Sequence, residues 1–322
     1  MTTGIELARA YYRREVAPGL SGVPHAAALL GPGSEVLGYD DEVSADHDFG
    51  ERVLVFRDLP GQRAGDYFAG QLGVDPARGM GVADWLRSPT QILATLTAGA
   101  VFHDPSGELA RRRAALAWYP DDVWRYALAA GWLRVAQEEA FVGRTGSTGD
   151  HLGSRLIAAR LVRELMRLAF LVERRWAPYP KWFGRAFGEL TLAPHLSPLL
   201  AAALDASGWR DREAALVAAA SLVGAATNAL GLAEPVDPAP RRYYDRDIQV
   251  VGADRFTVAL AAAVTDPQLR RLIDGPGLRH DRVPRLPGTI DQVTDSTEVL
   301  ANPALFRAFG LHVIGGLHVI GD

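Results

Sequence analysis

The sequence predicts an α+β protein: a mixed sheet with helices in the N-terminal third, then a mainly helical domain. Three observations predict it. Short β-branched and aromatic runs at Arg52–Phe56 and Gly99–His103 are separated by helical segments. From Pro120 onward, apolar residues recur at three- and four-residue spacing. A proline-rich stretch, Glu234-Pro235-Val236-Asp237-Pro238-Ala239-Pro240, then reads as a boundary. The 322 residues exceed one typical domain. The expected divisions are 1–118, 119–235 and 236–322, the last a C-terminal extension packing on the rest.

The elements follow in order. Ile5–Val16 reads as a helix stopped by Pro18-Gly19, and His25–Leu30 as a small apolar run entering Gly31-Pro32-Gly33-Ser34. Arg52–Phe56 predicts a buried strand. Helices are expected over Gly65–Leu72 and Thr90–Leu96, with Asp84-Trp85-Leu86 between them. Gly99–His103 predicts a strand closed by the turn chemistry of Asp104-Pro105-Ser106-Gly107. Asp121–Phe141 opens on acids that suit a helix N-terminus. Leu152–Trp176 is an amphipathic helix with arginines on its outer face, broken by Pro178-Tyr179-Pro180. Further helices are expected over Trp182–Leu190, Pro198–Ala206, Arg210–Leu230 and Phe256–Val264. The tail repeats Gly-Leu-His-Val-Ile-Gly at 310–315 and 316–321, too few copies for a solenoid.

Composition excludes several function classes. With 48% hydrophobic and 22% charged residues, the chain has the balance of a soluble globular protein. The absence of cysteine removes disulfides, thiolate metal sites and cysteine nucleophiles. A net charge of −4 argues against nonspecific nucleic-acid binding. Ala214–Ala233 is uncharged and long enough to span a membrane, but its alanine, serine and glycine content predicts a buried helix instead. No apolar leader follows Met1, so a cytoplasmic location without membrane association is expected. Of the 34 Lys+Arg, only Lys181 is lysine.

The segment richest in chemistry runs from Gly31 to Asp48. A Gly33-Ser34 turn exposes N–H groups and a hydroxyl that suit phosphate oxygens. Twelve positions later comes Asp46-His47-Asp48. In an extended segment the two aspartates share one face, where they can hold Mg²⁺, a hard cation that prefers oxygen ligands. His47 then points the other way and reads as a packed residue. The acidic Asp40-Asp41-Glu42 could add ligands or be solvated.

This arrangement resembles the DNA polymerase β-like nucleotidyltransferase superfamily. Gly33–Gly38 and Asp46-His47-Asp48-Phe49-Gly50 are similar to a poorly characterised bacterial nucleotidyltransferase-like family, a domain of unknown function. Gly99–Asp104, Trp118-Tyr119-Pro120, Pro178–Trp182 and Asp291–Thr297 fit the same family. The resemblance implies transfer of a nucleoside monophosphate from a nucleoside triphosphate, ATP above all, to a hydroxyl or similar acceptor on a small molecule or protein. Gly33 and Ser34 would bind the β/γ-phosphates, and Asp46 and Asp48 would bind Mg²⁺. Relatives usually supply a third carboxylate, for which Asp104 is preferred here and Asp84 is the other candidate. Lys181, beside Tyr179 and Trp182, is expected to reach the phosphates from the helical domain. Glu138 or Glu139 could act as general base, as a helical-domain glutamate does in aminoglycoside nucleotidyltransferases. Trp124, Tyr126 and Trp132 could line the acceptor pocket, and Arg144, Arg155 and Arg163 an anionic groove. A homodimer is compatible with the reading.

Two alternatives stay open. One is a nucleotide-binding or regulatory module without turnover. The other is toxin–antitoxin-type chemistry, either protein AMPylation or a ribonuclease built on Arg144 and His151, although Gly143, Gly146 and Gly149 should break a helix there. Dinucleotide-binding, Walker and zinc-hydrolase motifs are absent from the sequence.

Overall fold

The computed structural model describes residues 2–40, 51–275, 279–280 and 282–310. These form two units, each described separately. The first comprises residues 2–119, 178–182 and 294–310, and the second residues 120–177 and 183–293. Residues 236–293 group with the helical unit and residues 294–310 with the first.

The N-terminal unit opens with α1 (Gly4–Tyr11), held by a capping box in which Thr3 accepts the Glu6 N–H and Glu6 reaches back to Thr3. The chain continues through a π-helical turn over Tyr12–Val16 and a short α2 (Ala17–Gly19). Then come β1 (Ala26–Leu29), α3 (Ser34–Leu37), β2 (Leu54–Phe56), α4 (Ala64–Leu72), α5 (Val82–Arg87), α6 (Thr90–Thr97), β3 (Ala100–His103) and α7 (Glu108–Ala115). Helices beside a small sheet agree with the expected α+β class. Among the described residues the sheet has three strands in the order β2-β1-β3, and both pairings are antiparallel.

The central strand is Ala-Ala-Ala-Leu and wholly buried, because small side chains let the layers on either face approach closely. Leu29 packs with Ala8 of α1 and Val36 of α3. Gly99, just before β3, has φ +71°, and a Cβ there would lie 2.1 Å from the Leu29 carbonyl oxygen. Only glycine fits that contact.

The helical unit contains α8 (Asp121–Glu138), α9 (Phe141–Gly146), α10 (His151–Val172), most of α11 (Pro180–Phe187), α12 (Ala193–Asp205) and α13 (Trp209–Ala229). The two-stranded β4 (Arg241–Arg242) and β5 (Gln249–Val250) follow, then α14 (Asp254–Ala262) and α15 (Pro267–Asp274). A second two-stranded pair, β6 (Arg279–His280) and β7 (Val283–Pro284), leads to α16 (Ile290–Val293). The last helices, α17 (Thr297–Ala301) and α18 (Pro303–Gly310), belong to the N-terminal unit.

α8 is buried on most of its circumference, as suits the central helix of a bundle. Its Trp132 stacks on Phe256 of α14 at 4.3 Å between ring centroids. Gly143 and Gly146 do not break α9. They let it sit against α13, since a Cβ on Gly146 would lie 2.3 Å from Trp209 and one on Gly143 would lie 2.4 Å from Glu213. The uncharged alanine-rich run lies mostly in α13 and buries Leu216, Val217, Ala219, Ala220 and Val223. No described helix is long and apolar enough to cross a membrane.

Candidate functional site

The Gly-Ser turn leaves the buried end of β1. Gly31 (φ +90°) donates its N–H to Thr95 at 3.1 Å, and a Cβ there would meet the Tyr67 hydroxyl at 2.7 Å. Gly33 (φ +139°) precedes α3, and a Cβ on it would fall within 2.4 Å of both Glu35 carboxylate oxygens. The turn is thus folded over the side chain of Glu35. That carboxylate, with the side chain only 7% exposed, accepts a hydrogen bond from the Arg52 guanidinium at 2.7 Å. The same nitrogen donates to the Pro32 carbonyl at 2.7 Å. Arg52 therefore ties the turn to the chain entering β2.

Strand register explains why these groups meet. Ala28 pairs with Leu54 and Ala26 with Phe56, so the chain before β2 runs beside the chain after β1. Asp46, His47 and Asp48 lie outside the described residues, as do Asp41 and Glu42. Their neighbours are placed. Asp40 accepts the Gly4 N–H at 2.7 Å, so this acid caps α1. Glu51 is paired with Arg14. Among the described residues no cluster of three or more His, Asp or Glu could hold a metal.

Lys181 falls in the N-terminal unit, not in the helical domain from which it was expected to reach. Residues 178–182 join that unit, where buried Trp182 packs on Tyr39 at 5.5 Å between ring centroids. The exposed Lys181 ammonium lies 4.9 Å from the Trp182 ring centroid. Burial raises the Tyr179 hydroxyl pKa; hydrogen bonding to Trp182 lowers it, and the Glu35 charge raises it further. Tyr39, Glu35, Tyr179 and Trp182 thus bring the Pro-Tyr-Pro-Lys-Trp segment to the same turn as Ser34. Sequence reading missed Glu35 and Arg52, although an acid directly after Gly-Ser and an arginine opening the next strand were the available signal.

Asp104 is not beside this turn. Leu29 pairs with Ala100 and Ala27 with His103, so the end of β3 that carries Asp104 lies away from Gly33. Its Oδ2 accepts the Leu109 and Ala110 N–H groups at 3.1 and 2.9 Å, which caps α7. Asp84 accepts the Gly81 N–H and pairs with Arg87 at 2.7 Å. Both candidate third carboxylates have structural partners.

In the helical unit, Glu138 pairs with Arg160 at 2.7 Å. Glu139 accepts the N–H groups of Val251, Gly252 and Ala253 at 3.0, 3.2 and 2.9 Å. Trp124, Tyr126 and Trp132 are buried. They are core residues whose polar atoms bond the Leu171 carbonyl, the Gly288 N–H and the Thr227 hydroxyl. Arg144 and Arg155 are exposed and Arg163 is half-buried.

Burial pushes the Glu139 carboxyl up to about 7, against the pull of its three N–H donors. The same cause raises Glu213, which lines the same cavity of about 20 Å³, room for a single water. Because the folded pKa exceeds the unfolded value, the native state holds an extra proton between about pH 4.5 and 7. Stability should therefore fall as pH rises through that window, by on the order of 3 kcal/mol at ~1.4 kcal/mol per unit. Urea unfolding at pH 5 and pH 8 checks this. The wild type should lose stability relative to Glu139→Gln, and parallel curves would contradict the assignment.

Residues 85–183, about a third of the chain, match a family model described as Domain of unknown function (DUF4037). The match spans α5 to α10 and reaches Lys181 and Trp182, but it does not include the Gly-Ser turn, Asp46 or Asp48. No curated protein and no solved structure matches the chain.

Proposed function

We propose that this chain is a Mg²⁺-dependent nucleotidyltransferase that moves a nucleoside monophosphate from a nucleoside triphosphate such as ATP to a hydroxyl on a small molecule or protein. The observation that carries the reading is the Gly33-Ser34 turn, clamped by Glu35 and Arg52 to the chain that enters β2 just downstream of Asp46 and Asp48. The family match over 85–183 supports it across the segment holding Trp118-Tyr119-Pro120 and Pro178–Trp182.

In this reading, Gly33 and Ser34 bind the β/γ-phosphates, and Lys181 adds a positive charge near the same turn. Asp46 and Asp48 hold the metal, their hard oxygen donors fitting Mg²⁺. When bound, Mg²⁺ offsets the charge of the triphosphate. The acceptor oxygen attacks the α-phosphorus, the bond from that phosphorus to the bridging oxygen breaks, and pyrophosphate leaves. The acceptor's proton goes to a general base.

A nucleotide-binding module without turnover is the second reading. One observation favours it: Asp84 and Asp104 both serve as structural caps or ion-pair partners. Incubating the chain with ATP, Mg²⁺ and a broad acceptor panel separates the two. The transferase reading expects pyrophosphate release with one acceptor class; Mg²⁺-dependent ATP binding without release from any acceptor supports the module.

A further inference from the structure

The N-terminal unit has a cavity of about 730 Å³ that the proposed transferase reading leaves unused. It lies at the other end of the sheet from Ser34. His25 precedes β1, Arg57 follows β2, and Pro105 and Ser106 follow β3, and all four line it. Its volume is in the range of small-molecule sites.

The lining carries five arginines: Arg57, Arg63, Arg78, and the adjacent Arg111 and Arg112 of α7. Two are neutralised. Arg112 binds both Asp75 oxygens at 2.8 and 2.9 Å, and Arg63 pairs with Asp58 at 2.8 Å. Burial alone would raise the Asp75 pKa. The Arg112 guanidinium, the Ala77 N–H and the Arg78 charge together hold it below the usual carboxylate range, so this half of the lining is a fixed ion pair.

The other three are not ion-paired among the described residues. Arg57 donates to the Gln62 amide oxygen and Arg111 to the Ser106 carbonyl, both neutral acceptors. The Arg78 guanidinium makes no hydrogen bond, and none of the three guanidiniums forms an ion pair with a carboxylate, among the described residues. Two lining acids remain: Asp66 accepts the Gly61 N–H, and Glu108 lies 3.5 Å from Arg112, which therefore sits between two carboxylates. His25 adds no free nitrogen, because Nδ1 meets the Val23 carbonyl at 2.8 Å and Nε2 the Tyr12 hydroxyl at 3.0 Å. Three guanidiniums without a carboxylate ion pair thus line one concave space, where five arginines stand against four acids in a chain of net charge −4.

We infer that this cavity binds a phosphate-bearing small molecule with at least two negative charges, recognised by the guanidinium forks of Arg57, Arg78 and Arg111. Guanidinium donors match phosphate oxygens two at a time, which gives geometry as well as charge. Binding there needs no metal, which separates it from the proposed transferase site.

The test is calorimetric titration of the full-length chain with inorganic pyrophosphate in excess EDTA. Arg78 and Arg111 are exposed and make few contacts, so Arg78→Gln/Arg111→Gln should fold as the wild type does, with its unfolding midpoint as the control. The expected result is binding to the wild type and to Ser34→Ala with equal affinity. The double variant should bind at least tenfold more weakly. Absence of binding to the wild type, equal affinity in the double variant, or loss in Ser34→Ala would each overturn the inference. The outcome is independent of whether the chain transfers nucleotides, since no metal and no acceptor is present.

Discussion

Replacing either Asp46 or Asp48 by asparagine is expected to lower Mg²⁺-dependent pyrophosphate release by on the order of 10³-fold while the unfolding midpoint stays that of the wild type. Asparagine keeps the size and one oxygen of aspartate but removes the charge that holds a hard cation. A carboxylate whose role were only to form a turn would tolerate the change, because asparagine favours turns equally. Turnover surviving in both variants would place the metal elsewhere. The pair also predicts a pattern. Each single variant should cost about as much as the double, because the two acids act as one metal site and not as independent contributions.

The second large effect is expected at Glu35. Its carboxylate is almost fully buried and is hydrogen-bonded to Arg52, whose side chain is 35% exposed. Removing one partner of a buried pair costs about 3–5 kcal/mol, and water reaching Arg52 offsets part of that, so Glu35→Ala should cost about 2–3 kcal/mol. The loss does not stop at stability. Glu35 lies under Gly33 and beside Gly4, and Arg52 also holds the Pro32 carbonyl. The turn should loosen and nucleotide affinity should fall with it. Glu35→Gln keeps the shape and one acceptor and should fall between the two. Urea unfolding with nucleotide titration checks both arms, and an alanine variant with unchanged stability would remove the clamp from the account.

Local features were legible in the residues themselves. Periodicity located α8, α10 and α13 to within a few residues, and β-branched runs located β2 and β3. The start of α12 was harder to read. Pro198 marks a helix start by rule, yet the helix begins at Ala193 and carries this proline inside. Gly143 and Gly146 read as helix breakers because spacing does not reveal that Glu213 and Trp209 press on them from another helix.

The candidate site was legible where it is local, in Gly33-Ser34, and not where distant segments build it. An acid after Gly-Ser and an arginine ahead of β2 are visible in the sequence, but not that the two pair across seventeen residues. Asp104 reads as a third carboxylate from its place after a strand. Only the register shows that this end of β3 is away from the turn. Glu139 reads as a candidate general base from its place on a helix, and only the structure shows the N–H groups of 251–253 closing on it. The arginine-lined cavity had no sequence signal, because its residues come from separate turns and helix ends.

The most direct measurement is calorimetric binding of a nonhydrolysable ATP analogue to the full-length chain, with and without Mg²⁺. The account predicts binding that requires Mg²⁺, disappears in Asp46→Asn and Asp48→Asn, weakens in Ser34→Ala, and is untouched in Arg78→Gln/Arg111→Gln. Analogue binding of equal strength in wild type and both aspartate variants would contradict it.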